Sequence, residues 1–301
     1  MLLGNQPLTK DGGITYWILT NEKAEMLCAC ETIRRPALIS RAGSQPEDVS
    51  SFGIASVFTP RRNRRKGYAT KMLSLLQQRL PSHAPGVVGF SVLYSDIGRQ
   101  FYARMGWKPD LSTHITLSPS TTAYKNVRYC PREEIARLCE KDVEFVRQRI
   151  ASKSSSTRVA VLPDYEVIEW SQTRSLYLMS NSTDITVGKF GAVYSSAAGK
   201  EGWVVYGFTP SKGQLTILRC VPQQGEELES VVELLKASQN LALEYKLTEV
   251  YIWNPSDVVL QAARKLQEVQ VVTRETDTIT SIAYYGEGDA EWLENDPFAW
   301  C

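Results

Sequence analysis

One junction constrains this chain more than any other feature. Phe52–Thr59 (FGIASVFT) is a strand-forming run stopped by Pro60, and the chain then turns through Arg61-Arg62-Asn63-Arg64-Arg65-Lys66-Gly67. From Tyr68 to Leu80 the residues Tyr68, Ala69, Met72, Leu73, Leu75, Leu76 and Leu80 recur at helical spacing. Lys71, Ser74, Gln77 and Gln78 take the other face, and Pro81 ends the run. A strand that opens a helix through a basic glycine turn leaves the first helical N–H groups unpaired and partly positive beside several cations. A pyrophosphate fits such a place. Gly67 permits close backbone approach, and the small Ala69 keeps the helix start accessible. Taken alone, the same residues also read as a solvated basic turn.

The rest of the first half reads as α/β. Tyr16–Thr20 and Met26–Ile33 form a hairpin across Asn21–Glu25. Val87–Tyr94 is an apolar strand, Gly98–Gly106 a short helix, and Thr113–Leu117 a further strand. Pro131–Ile150 is a charged amphipathic helix, and Ser152–Thr157 (SKSSST) is the linker. In the second half Lys189–Tyr194, Trp203–Phe208 and Gln214–Val221 are strands and Glu226–Tyr245 is a helix. Val250–Trp253, the helix Asp257–Leu266, Val269–Thr273 and Thr280–Tyr285 follow. The order β-β-β-α-β-α-β-β thus occurs twice, which predicts a divergent duplication. The second strand-to-helix corner, Pro222-Gln223-Gln224-Gly225-Glu226, has no basic loop.

Charge and composition narrow the class. Lys plus Arg is 34 against 33 Asp plus Glu, a net charge of +1, so no global field calls for nucleic acid or an anionic membrane. No run approaches the roughly 20 apolar residues of a membrane helix, and the start lacks a secretory apolar core. Six scattered cysteines read as free thiols and not as a metal site. A cytoplasmic protein with no metal is expected.

A second motif gives the junction its meaning. Phe101-Tyr102-Ala103-Arg104-Met105-Gly106-Trp107 looks like the F-Y-x-x-x-G-F sequence of the GNAT acyltransferases, with Trp107 in place of the last Phe. Arg64-x-x-Gly67-x-Ala69 resembles their acyl-CoA loop, R/Q-x-x-G-x-G/A. Segments 31–40, 55–73, 91–107, 252–255 and 289–301 resemble the fungal lysine N6-acetyltransferases of lysine catabolism, and the likeness runs from about Thr15 to the final residue. The resemblance implies a GNAT-type mixed sheet with flanking helices, followed by a degenerate second GNAT-like lobe. It implies a catalytic domain at 1–130, a helix and linker at 131–157, and a C-terminal α/β domain at 158–301. It also implies acetyl-CoA as cosubstrate, held by Val57, Phe58, Thr59, Arg64, Arg65, Lys66, Gly67, Tyr68, Ala69, Thr70 and Ser95. A small-molecule amine, the ε-amine of free lysine first among them, is the implied acceptor. Tyr102 takes the role of general acid to the departing thiolate, since a phenol beside the sulfur donates a hydrogen bond and then a proton. Its alternative is packing against Phe101.

The acceptor side is more open. Amine acylation needs a neutral amine, hence a proton acceptor. Glu31 on the Met26–Ile33 strand is one candidate, or else an exposed strand carboxylate. His114 is one of only two histidines, and is either a base or a hydrogen-bonded structural residue. Phe298-Ala299-Trp300-Cys301 is aromatic for a chain end. It predicts a buried tail, with the Cys301 carboxylate as a third candidate base, as in the two-lobed N-myristoyltransferases, or a tail pinned by its aromatic residues. A backbone N–H on Ser56–Phe58 is the expected oxyanion donor. GNAT domains usually place a strand and two helices before the hairpin. Only about a dozen residues precede Tyr16 here, so the acceptor pocket is remodelled, another element walls it, or the gene model is truncated. A specialised biosynthetic acyltransferase and a CoA-binding pseudoenzyme are the alternative functions.

Overall fold

The computed structural model describes residues 3–152 and 154–301; Lys153, within the expected linker, lies outside the described residues. Strands β1 (Ile14–Thr20), β2 (Met26–Ser40) and β3 (Glu47–Phe58) lead into helix α1 (Tyr68–Arg79). Then come β4 (Val88–Ser95), the single turn α2 (Gln100–Ala103), β5 (Lys108–Pro109), β6 (Thr113–Leu117) and β7 (Val127–Cys130). Helix α3 (Arg132–Ile150), β8 (Thr157–Val161) and α4 (Tyr165–Ser182) precede β9 (Gly191–Ser195), β10 (Glu201–Thr209) and β11 (Gln214–Val221). The chain closes with α5 (Glu227–Glu244), β12 (Glu249–Trp253), α6 (Asp257–Leu266), β13 (Val272–Thr273), β14 (Ile279–Tyr284) and β15 (Ala290–Trp292).

These elements build the expected mixed α/β architecture as two lobes, each with its own sheet. The first sheet runs β15-β8-β2-β3-β4-β14-β5 with β1 added on β2, and the second runs β13-β6-β12-β11-β10-β9-β7. Each contains one parallel pair of successive strands, β3 with β4 and β11 with β12, and the first sheet adds the parallel pair β8 with β15. A parallel pair of successive strands needs a crossover, supplied by α1 and α5 respectively. In each lobe the strand before the crossover is antiparallel to its predecessor, β3 to β2 and β11 to β10.

The lobes then exchange strands. β4 takes β14 from the second half as its antiparallel neighbour, and β12 takes β6 from the first half. The short strands follow suit, β5 on β14 and β13 on β6. Sheet membership therefore does not divide at residue 130: β6 and β7 belong to the second sheet, and β8, β14 and β15 to the first.

Three apolar clusters hold this arrangement. Met72, Leu73 and Leu76 of α1 pack on Phe52, Ile54, Leu93 and Trp107 of the first lobe. Val231, Leu234 and Leu235 of α5 pack on Tyr206, Ile217 and Val250 of the second. Between the lobes, Ile33 and Val92 join Trp203 and Val205 through Leu138 of α3 and Val167 and Ile168 of α4. Each such fully buried side chain contributes about 1.5–3 kcal/mol of apolar transfer.

The sequence reading misses β5, β7, β8, α4 and β15, ends β2 too early and begins β3 too late. α4 is capped by Asp164, whose carboxylate accepts the Glu166 N–H at 2.9 Å. Its inner face is mixed: Ser171, Gln172, Thr173 and Ser175 are buried beside Val167, Ile168, Trp170 and Met179. The polar ones are satisfied by specific bonds, such as Gln172 to the Phe190 carbonyl at 3.1 Å and Ser171 to the Phe298 carbonyl at 3.2 Å. The buried polar residues interrupt the apolar period of that face. β2 continues through Arg34 and Arg35, and Arg35 is buried, against the usual preference of the residue type.

Candidate active site

The site begins at a bulge in β3. Glu31 of β2 stands opposite Ala55, but Ala29 stands opposite Phe58, so β3 carries an extra residue there. Ser56 takes the left-handed region at φ +53°, and its hydroxyl donates to Glu31 Oε1 at 2.6 Å. On the other side the ladder to β4 stops at Ile54 opposite Leu93. From Ala55 to Phe58 the edge of β3 facing β4 has no strand partner, and the two strands splay.

The splay opens toward the start of α1. Gly67 precedes the helix at φ +77°, and a Cβ placed there meets nothing within 4 Å. No side chain caps α1 and its first turn holds no acid. Arg65 is also left-handed at φ +63°. Arg61, Arg62, Arg64, Arg65 and Lys66 are exposed, and no ion pair among the described residues uses them. Arg64 Nε donates to the Thr59 carbonyl at 3.1 Å, closing the loop on itself. Orphan helix N–H groups, an open glycine and uncompensated cations fit a diphosphate in both shape and charge. Val57 and Phe58 lie on the free β3 edge, Tyr68 and Ala69 pack partly against the first lobe, and Thr70 is exposed.

Beyond the bulge lies a cavity of about 500 Å³ whose walls include Glu31, Ser56, Tyr94, Tyr102, Arg174, Trp300 and Cys301. Tyr102 comes from α2, whose end is fixed by Trp107: its buried Nε1 donates to Ser91 Oγ at 2.9 Å. Burial pushes the Tyr102 phenol up to about 12, and the nearby Asp96 adds to the shift. It therefore keeps its proton at neutral pH.

The aromatic tail is buried. Phe298 and Ala299 are inaccessible, and the Arg35 guanidinium donates to the carbonyls of Ala299 and Trp300. Cys301 reaches β3, its thiol 3.5 Å from the Ile54 carbonyl. Gly53 makes room for it: a Cβ there would lie 2.9 Å from both Arg35 Cζ and Cys301 Sγ. Burial pushes the Cys301 thiol up.

Three of the four proton-transfer candidates, Glu31, Tyr102 and Cys301, thus line one cavity. His114 is not among them. Strand exchange carries β6 into the second sheet, where His114 stands opposite Trp253 and packs at a tilt against the Tyr251 ring, 4.8 Å between centroids. Burial lowers its pKa, with Arg274 acting in the same direction. Ser95 is also corrected as a cofactor contact. It is 1% exposed, and its hydroxyl donates to the Gly98 carbonyl at 2.9 Å and accepts the Ile97 N–H at 3.2 Å, holding its own turn. Sequence reasoning missed Tyr94, Trp170 and Arg174, which also line the cavity. Trp170 and Arg174 come from the unread helix α4. Among the described residues no group of three or more His, Cys, Asp and Glu could hold a metal, and no helix is long and apolar enough to cross a membrane.

The comparisons with known proteins agree with this geometry. The family described as the LYC1 GNAT-like C-terminal domain matches residues 113–301, well over half of the chain, starting at the first strand of the second sheet. A lysine acetyltransferase of Yarrowia lipolytica is 24% identical over 80% of this chain and 70% of its own. The uncharacterized protein YGR111W of Saccharomyces cerevisiae is 22% identical over 92% of this chain and 77% of its own. Among solved structures, a conserved Enterococcus faecalis protein described as a probable N-acyltransferase superimposes at TM-score 0.56 with 12% identity over 90% of this chain. A GCN5-related N-acetyltransferase from Kribbella flavida superimposes at 0.50 with 15% identity over 92% of this chain. The chain spans 62% of the length of each of these two structures.

Proposed function

The chain belongs to the LYC1 GNAT-like family, and from that membership we propose that it transfers an acetyl group from acetyl-CoA to the ε-amine of lysine. The observation that carries the reading is a juxtaposition. An uncapped, acid-free helix start behind exposed cations opens, through splayed strands, toward a cavity that holds a phenol and a carboxylate. Acetyl-CoA supplies the activated acyl thioester. The α1 amides from Gly67 to Thr70, with Arg64, Arg65 and Lys66, hold its diphosphate, and the free β3 edge at Val57–Thr59 takes the pantetheine amides.

The chain's own groups then have distinct tasks. Glu31, fixed by the Ser56 hydroxyl, accepts the proton of the incoming ammonium. The free N–H groups of the bulged edge stabilise negative charge that develops on a carbonyl oxygen. Tyr102 keeps its proton at neutral pH and donates it where the thiol departs. The main-chain end at Cys301 is the alternative proton acceptor; full turnover after its deletion assigns the role to Glu31. Lysine is favoured as acceptor because the Yarrowia relative is a lysine acetyltransferase. All six cysteines are free thiols, which supports a cytoplasmic setting.

The test is thiol release from acetyl-CoA with lysine and a panel of other amines, with products identified by mass spectrometry. N6-acetyl-lysine is the expected product. Release with another amine alone overturns the lysine assignment, and no release despite acetyl-CoA binding overturns the activity.

A further inference from the structure

Arg174 of α4 lines two cavities at once. One is the cavity of Glu31 and Tyr102; the other lies on the second lobe, against Phe208, Leu218, Tyr251 and Trp253. Its guanidinium carbon sits 4.4 Å from the centre of the Trp300 ring, and Trp300 too is shared by both cavities. Among the described residues Arg174 makes no ion pair and no side-chain hydrogen bond. Several half-buried or buried arginines have carboxylates: Arg132 meets Glu169, Arg137 meets Glu201, and Arg219 meets Asp142. Arg34, half-buried on β2 without an ion pair among the described residues, lines neither cavity. Arg35 is spent on the tail carbonyls. Arg274, also without an acceptor, is buried against Trp253 and lines neither cavity. Burial lowers the Arg174 pKa, with no anion to oppose it.

We propose that Arg174 is the specificity-determining residue for the acceptor, binding a free carboxylate while Glu31 receives the amine of the same molecule. The assignment rests on the acyl-transfer reading above and deepens it. A guanidinium presents a planar fork that matches a carboxylate through two parallel hydrogen bonds. Stacking on Trp300 orients that fork before any ligand arrives, so little side-chain freedom is lost on binding. The cation stands on α4 and the anion Glu31 on β2, two different walls of one cavity. Trp170 and Tyr94 of the same lining offer apolar surface for a methylene chain. The acceptor class is therefore a free amino acid with a distal amine. A lysine inside a peptide chain, whose carboxyl is tied up as an amide, lacks the group that Arg174 selects.

The test compares three acceptors of equal amine chemistry: lysine, lysinamide and 1,5-diaminopentane, each with acetyl-CoA and the full chain. The wild type should show kcat/KM for lysine about 10–100-fold above that for the other two, the range of a charged hydrogen-bonded contact. Arg174→Gln should lose that preference through the KM for lysine, so that the kcat/KM ratios of lysine to lysinamide and to 1,5-diaminopentane fall to about one. Arg174→Lys, which keeps the charge but not the fork, should fall between. Equal use of lysine and lysinamide by the wild type overturns the assignment without needing any variant to fold. So does an equal loss on all three amines in Arg174→Gln. Transfer to none of the three overturns the acyl-transfer reading itself, and this assignment with it.

Discussion

The two strand-to-helix corners are built on one plan and present opposite chemistry. In both lobes a bulged strand leads into a crossover helix, and the parallel ladder stops where the bulge begins, at Ile54–Leu93 and at Ile217–Ile252. α1 then starts uncapped, with an open left-handed Gly67 and a run of exposed cations. α5 starts with Glu227 and Glu229 in its first turn. Glu227 accepts the Gly225 N–H at 2.8 Å, and Ser230 Oγ accepts the Gln223 N–H at 3.0 Å. Backbone N–H bonds hold the Glu227 carboxyl below its usual range. α5 also lacks a side-chain cap, but acid surrounds its start in place of cations, so a diphosphate meets repulsion there. Topology alone does not make an anion site. An acid-free helix start beside unpaired cations does.

The widest gap between the lobes should appear in catalysis. Tyr102→Phe should lower kcat about 100-fold or more, the usual span of a general acid, with the KM for acetyl-CoA unchanged. The sign of the pH effect follows from the raised phenol. The protonated form is the active one and its pKa is about 12, so kcat stays level through the alkaline range up to about pH 11. An alkaline fall centred near pH 9–10 in the wild type contradicts the assignment.

A structural effect is expected next in the second lobe. There Arg219 of β11 sits 2.7 Å from Asp142 and 2.6 Å from Asp296, and also pairs with Glu294. It is 5% exposed, and its removal strands several carboxylates away from water. Arg219→Ala should cost about 3–5 kcal/mol of stability in denaturant unfolding. Activity per folded molecule should persist. A stability change under about 1 kcal/mol breaks the claim that this lobe is the scaffold.

A smaller effect is expected at the first corner itself. Arg64→Ala with Arg65→Ala should raise the KM for acetyl-CoA about tenfold. The penalty should shrink at high salt, since exposed charges are screened. Gln224→Ala at the other corner should change neither constant. Equal effects at both corners would remove the distinction drawn here.

How much of this is legible in the sequence depends on how local each feature is. The α1 corner and the Tyr102 segment are contiguous, so charge, glycine and helical period show them directly. The buried tail is legible too, because Phe298 and Trp300 are out of character for a chain end. The strand exchange is not. Thr113–Leu117 and Thr280–Tyr285 both read as strands, but nothing local tells β6 which sheet to join, and His114 is misplaced for that reason. α4 escapes because Ser171, Gln172, Thr173 and Ser175 bury hydroxyls and an amide that interrupt its apolar stripe. With α4 unread, Trp170 and Arg174 are invisible, although both line the cavity of Glu31 and Tyr102.

The central claim is that one lobe holds the cosubstrate and the other does not. Calorimetric titration of the full chain with acetyl-CoA tests it most directly. One site per chain, lost when Arg64 and Arg65 are replaced together by Glu, is the predicted result. Two sites per chain, or one site that survives that double replacement, would contradict it.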